Sequence, residues 1–148
     1  PSGRGSGWAC DVRKRSPYAA YDKVQFDEVL YNEGDSYARY MVRMKEIEQS
    51  LHILEQLVDN IPEGDYLAKT KPIIKVPEGR YFKEVEAARG AFGIYLESRG
   101  DKFPYRLKVN SPGFNLVGAV DHMTRGSKIA DLIAIGGSLD YVVPDIDR

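Results

Sequence analysis

The chain has 148 residues, with 21 Lys and Arg against 22 Asp and Glu and a formal net charge of −1. That balance speaks against a phosphate-tracking basic surface, so no nucleic-acid partner is expected. One cysteine and two histidines rule out an internal disulfide framework and leave too few soft ligands for a structural zinc or iron–sulfur site, and no apolar run approaches the roughly 20 residues of a membrane-crossing helix.

The length predicts one compact domain with a core of its own. Residues 1–34 read as an irregular arm. Gly3-Arg-Gly5-Ser-Gly7 lacks the preceding strand and following helix that a dinucleotide-binding loop requires. After the charge cluster at 11–15 and Pro17, the residues Tyr18, Tyr21, Phe26, Val29, Leu30 and Tyr31 follow no helical period. Such a stretch is either draped over a partner or disordered, and its aromatic content favours order in context.

The strongest local signal predicts a helix over 35–61. Asp35 suits the N-cap because its carboxylate accepts the free amides of a first turn. Tyr37, Tyr40, Met44, Ile47, Leu51, Leu54, Val58 and Ile61 then alternate steps of three and four, the stripe of a helix packed along a bundle. Met41 and Leu57 widen the stripe beyond a two-stranded seam, and Pro62 and Gly64 end it.

A connector rich in Pro follows over 65–79, then a β meander over 80–110. Its strands are expected at 81–86, 91–97 and 105–109, with Ala87-Ala-Arg-Gly90 as a hairpin turn. Ser111-Pro112 has the form of a helix cap and first residue, predicting a short helix that stops near Gly126. Ser127 is expected to cap a second one ending at Gly136-Gly137. The residues therefore describe an α+β, mainly helical chain.

Few side chains advertise chemistry. His52 and His122 have no ligand partner at helical spacing, and Cys10 has no nearby histidine to activate it. Asp140, Asp145 and Asp147 make the end of the chain acidic, which reads as a solvated tail. Leu139 to Val143 interrupts those charges with apolar residues that a free tail would not need.

Several segments together resemble the 49-kDa family of respiratory complex I, the NADH–quinone oxidoreductase. They are Arg4-Gly-Ser-Gly7 with Asp11-Val-Arg13, Tyr18-Ala-Ala-Tyr-Asp22, Gly34-Asp-Ser-Tyr-Ala-Arg-Tyr40 and Glu48-Gln-Ser-Leu51. Further along come Glu86-Ala-Ala-Arg-Gly90 with Gly93-Ile-Tyr-Leu96, Pro104-Tyr-Arg-Leu-Lys108 and Ser111-Pro112. Ala130-Asp-Leu-Ile-Ala-Ile-Gly136, Ser138-Leu-Asp140 and Asp147-Arg148 resemble the family's closing segment. The resemblance covers nearly the whole chain, in order.

It implies the C-terminal portion of a chain of roughly 400 residues, longer than a usual domain. The implied fold is that of the nickel–iron hydrogenase large subunit, in which residues 37–61 form a bundle helix. Hydrogenase relatives bind nickel through a closing cysteine pair, and Val142 and Asp145 stand at those two positions here, so no metal is expected. In the complex I branch the corresponding space is a quinone-reduction cavity. Carried over, Arg89 and Val142 would line it, Asp140 and Asp145 would serve as its proton-handling carboxylates, and Arg148 would anchor the closing segment. The resemblance places the iron–sulfur cluster and NADH in other subunits, with quinone as substrate and no cofactor bound by this stretch alone. Its implied partners are the cluster-bearing quinone-site subunit, the 30-kDa-like subunit and a membrane-arm subunit, on the cytoplasmic face of the bacterial inner membrane. Tyr141 and Pro144-Asp145 depart from the family's usual Pro and Gly-Glu. The other reading of the same residues is a scaffold of a membrane-associated redox complex that touches no substrate.

Overall fold

In the computed structural model, residues 1–147 are described. Arg148, the expected anchor, lies outside them. The chain is a mixed assembly of helices and one small antiparallel sheet. The arm carries a 3-10 turn at Arg4–Ser6 and one helical turn, α1 (Val12–Arg15). It leads into the long helix α2 (Ser36–Val58). Strands β1 (Gly79–Ala87), β2 (Gly90–Ser98) and β3 (Arg106–Asn110) form a meander in chain order. Helices α3 (Pro112–Thr124) and α4 (Asp131–Leu139) and a closing 3-10 turn, Val143–Asp145, complete the described chain.

Local chemistry accounts for most boundaries. The Asp35 carboxylate accepts from Ala38 N at 2.7 Å and opens α2. The helix stops at Val58, earlier than the apolar stripe predicts, because Asn60 N turns back to Leu57 O and Asn60 Nδ2 caps Gln56 O. Ser111 Oγ accepts from Gly113 N and Pro112 follows, starting α3 as expected. Ser127 does not cap α4. Asp131 reaches back to Lys128 N at 2.9 Å instead, so the helix begins later and then runs through Gly136-Gly137 to Leu139. Burial of Leu139 overrides the weak helix propensity of the glycines.

The stripe of α2 does not face a core within this chain. Tyr37, Tyr40, Met44, Ile47, Leu51, Leu54 and Val58 are all exposed. The buried residues of α2 are Ala38, Arg39, Val42 and Ile53, which face the arm and α4. The apolar core is correspondingly thin: Val12, Phe26, Ala38, Val42, Ile53, Ile135 and Leu139. The accessible surface is 10932 Å², whereas a compact monomer of 16.7 kDa exposes roughly 7,600 Å². The excess is several times one face of a standard interface, about 800 Å². Length and composition predict a self-contained domain; the structure exposes far more surface than a compact domain of this size. Among the described residues no helix is long and apolar enough to cross a membrane.

The arm is ordered by specific bonds. Gln25 and Gln56 exchange two hydrogen bonds, Gln25 N to Gln56 Oε1 and Gln56 Nε2 to Gln25 O. Glu28 Oε1 accepts from both Cys10 N and Asp11 N. Tyr18, Tyr21 and Phe26 stack edge to face, with Arg13 over the last two rings.

Candidate functional site

The hairpin between β1 and β2 has a two-residue turn, Ala88-Arg89, closed by the Ala87–Gly90 pair. Gly90 adopts φ 137°, which a residue with a Cβ would resist, and this geometry sends the chain back antiparallel. Arg89 therefore projects from the hairpin tip. It meets the C-terminal end of α4, where Asp140 takes a left-handed φ of 55°. Arg89 Nε donates to Asp140 O at 2.8 Å. The guanidinium also lies 3.4 Å from Asp140 Oδ2 and 3.5 Å from Oδ1, loosely bidentate. Both side chains keep a third or more of their surface exposed, so solvent screens the pair and its contribution to stability is small.

Asp140 opens onto a cavity of about 390 Å³ lined also by Arg4, Arg13, Arg43, Glu46 and Glu86. Along its floor runs a buried ion network joining the arm, α2 and β1. Arg4 Nη1 donates to Glu86 Oε1 at 2.9 Å, and Arg4 Nη2 lies 2.6 Å from Glu46 Oε1 in a close charge contact. Glu86 Oε2 accepts from Val12 N at 3.0 Å, and Glu86 N donates to the Tyr18 hydroxyl. Asp11 accepts from Arg13 Nε and Nη2 and lies 3.8 Å from Arg4. Burial opposes the Arg4 charge, yet Glu46 and Glu86 hold its pKa above the ordinary value. Burial likewise pushes the Asp11 carboxyl up, but hydrogen bonds and charge from Arg13 hold it below the usual carboxylate range.

The expected site residues do not all meet. Arg89 and Asp140 come together. Val142 is half-buried at the entry to the closing 3-10 turn, where its carbonyl accepts from Asp145 N. Asp145 sits in a different cavity, of about 630 Å³, with Phe92, Leu107, Lys108 and Ser111. There it packs against the first turn of α3 so closely that a Cβ on Gly113 would lie 2.8 Å from Asp145 Cβ. Two residues to which sequence reasoning gives no role reach the C-terminal end of α4. Arg39 and Arg43, one helical turn apart on α2, reach Ser138: Arg39 Nε donates to its Oγ at 3.0 Å, Arg43 Nη1 to its O at 2.6 Å. Their spacing of four next to an apolar stripe is the available signal. Cys10 is half-buried, and burial pushes its thiol up, with Arg4 pulling the other way. No cluster of three or more His, Cys, Asp or Glu able to hold a metal ion occurs among the described residues.

Known proteins match this chain end to end. The family described as respiratory-chain NADH dehydrogenase, 49 Kd subunit, matches residues 1–77 and 70–148. The C/D-type NADH-quinone oxidoreductase polypeptide of Bacteroides fragilis is 69% identical over 147 residues, 99% of this chain and 28% of the relative. The D-type NADH-quinone oxidoreductase polypeptide of Desulfotalea psychrophila is 55% identical over 149 residues, covering 100% of this chain and 40% of the relative. Among solved structures, that of the membrane-bound sulfane sulfur reductase, an archaeal respiratory membrane complex, superposes with a TM-score of 0.92 at 41% identity. It covers 100% of this chain and 42% of that one. The chain thus spans well under half the length of the relatives it matches. On sequence and structure together, the chain belongs to the 49-kDa subunit family of respiratory-chain NADH dehydrogenase.

Proposed function

We propose that this chain supplies part of the quinone-reducing site of a proton-translocating NADH:quinone oxidoreductase. The observation that carries the reading is the meeting of Arg89 with Asp140 where α4 ends, at the mouth of a cavity walled by charged groups. Reducing a quinone consumes two electrons and two protons. The electrons would come from an iron–sulfur cluster held by a neighbouring subunit, NADH being oxidised elsewhere in the assembly. This chain's own residues then have two tasks. Arg89 offsets the charge of the carboxylate beside it, and Asp140 holds or passes a proton at the edge of the ring. Val142 offers an apolar contact a short step along the same segment. Asp145, buttressed against Gly113, orders the closing turn and belongs to the same reading at a second remove.

The donor set suits an organic substrate. Positions 142 and 145 carry an isopropyl group and a carboxylate, and the single thiol, Cys10, lies in the arm beside Glu28. Nickel held by thiolates would find no ligands there. The hydrogenase-like ancestry of the fold belongs to this proposal, as does Arg148 as an anchor of the closing segment.

The bare stripe of α2 supports the assembly side of the reading. A face of seven large apolar side chains is stable when covered by further helices of the same subunit or by partners. Those partners are the cluster-bearing subunit, a 30-kDa-like subunit and a membrane-arm subunit, at the cytoplasmic face of the bacterial inner membrane. The match to a sulfane sulfur reductase favours a second reading, a sulfur acceptor on the same scaffold. Identities of 69% and 55% to NADH-quinone oxidoreductase polypeptides favour quinone.

A photoreactive quinone analogue, activated in the assembled complex and followed by peptide mapping, tests the proposal. Label at residues 138–142 or 88–90, displaced by excess quinone, is expected. Label confined to other subunits would leave this chain as scaffold.

A further inference from the structure

The end of α4 is held by more than Arg89. A helix leaves its last carbonyls without intrahelical partners, and here two carbonyls at that end are taken by guanidinium groups from different elements. Arg43 Nη1, from α2, donates to Ser138 O at 2.6 Å and to Arg39 O at 3.3 Å. Arg89 Nε, from the hairpin tip, donates to Asp140 O at 2.8 Å. Both charges suit the negative end of the helix dipole. Between the two, Asp140 is held in a left-handed conformation that side chains other than Gly, Asn and Asp seldom adopt.

Arg43 is an unusual choice for a purely structural contact. Its Nε and Nη2 are buried and have no hydrogen-bond partner among the described residues. Burial holds its pKa below the ordinary value; Asp140 and Glu46 counter that, and Arg89 adds to it. A buried donor left unpaired works against stability, so a neutral side chain would pack the α2–α4 contact at less cost. What only a charged, long side chain provides is a donor that reaches Ser138 O while standing across the cavity from Asp140.

We propose that Arg43 is a positioning residue of the site: with Arg89 it clamps the final turn of α4 and sets where the Asp140 carboxylate stands. This inference rests on the quinone-site reading above. Arg43 lines the cavity, but its unpaired nitrogens Nε and Nη2 are shielded from solvent, so its assigned role is to position Asp140 rather than to bind substrate. Its effect runs through the backbone of 138–140.

The test uses the whole complex, with Arg43→Met, Arg43→Lys, Asp140→Asn and the double variant Arg43→Met with Asp140→Asn. Donor-driven ferricyanide reduction reports electron entry, and a short-chain quinone analogue reports turnover at the site. Arg43→Met is expected to lower kcat for quinone about 10-fold, the scale of a small misplacement of a reacting group. KM and ferricyanide reduction stay within about 2-fold of wild type, because neither depends on that placement. Arg43→Lys, which keeps charge and a donor, recovers most of the rate. In the double variant the loss is no greater than in Asp140→Asn alone, because Arg43 acts through Asp140. Unchanged turnover in Arg43→Met, a lysine variant as slow as the methionine one, or losses that multiply in the double variant would overturn the clamp. If Met prevents assembly, Arg43→Gln carries the same comparison. Loss in Asp140→Asn with none at Arg43 leaves the quinone reading standing, and no loss at either position overturns both.

Discussion

Glu86 ties β1 to the arm through both carboxylate oxygens, and removing its charge is the sharpest probe of how the arm is held. Its side chain is 7% exposed and that of Arg4 is 3% exposed. Its two oxygens accept from Arg4 Nη1 at 2.9 Å and from Val12 N at 3.0 Å. Glu86→Gln keeps one acceptor and turns an amide N–H toward the other donor. The direct loss is one charge-assisted hydrogen bond, about 1.5–3 kcal/mol, together with part of the cost of a stranded buried donor. Arg4 retains Glu46 at 2.6 Å and Asp11 at 3.8 Å, so the full penalty of an unpaired buried charge does not apply. The sum is about 3 kcal/mol, which for a chain of this size lowers Tm by roughly 6–12 °C. The control is Glu84→Gln, two residues earlier on the same strand. Glu84 pairs with the half-exposed Arg15, a contact worth less than about 1 kcal/mol. Thermal unfolding followed by circular dichroism separates the two. Equal shifts in both variants, or a Glu86→Gln chain that melts within about 2 °C of wild type, would refute the argument that burial decides the strength of this network.

The Asp11 carboxyl is raised by burial but held below its ordinary value overall by Arg13. A depressed folded-state pKa stabilises the chain above the ordinary carboxylate pKa of 3.8, and that contribution is lost as pH falls through the depressed value. Tm should therefore drop more steeply below about pH 4 in wild type than in Asp11→Asn; equal acid slopes would contradict the assignment. Leu51 and Leu54 are more than half exposed, so Leu51→Ala or Leu54→Ala should change the stability of this chain by less than about 0.5 kcal/mol. The same substitutions should reduce the yield of assembled complex on native gels. A large loss in the isolated chain would mean that the stripe is covered within it.

How much of the fold is legible in the sequence depends on the range of the interactions. The long helix is legible because Asp35, the three-and-four spacing and Pro62 are local signals along one continuous stretch. The hairpin is legible for the same reason, Gly90 closing a turn of two residues. Which face of α2 finds neighbours is not a local property. The apolar stripe suggests a core, yet Arg39 and Arg43 are drawn inward by Ser138, 99 and 95 residues away. The continuation of α4 through Gly136-Gly137 likewise depends on Leu139 being buried by distant packing. For the site, the resemblance names Arg89 and Asp140, and the two are in contact. Asp145 groups with them by nearness in sequence, but a single 3-10 turn carries it to the start of α3. Arg43 carries only one local signal, its spacing of four from Arg39, and the contact that gives it a role is to Ser138, 95 residues away.

The central claim is that Arg89 and Asp140 act on quinone, and the direct measurement is quinone turnover in assembled complexes carrying Asp140→Asn or Arg89→Met. With donor-driven reduction of the iron–sulfur clusters unimpaired, turnover should fall at least about 10-fold in each. Wild-type turnover in both fully assembled variants would contradict the account.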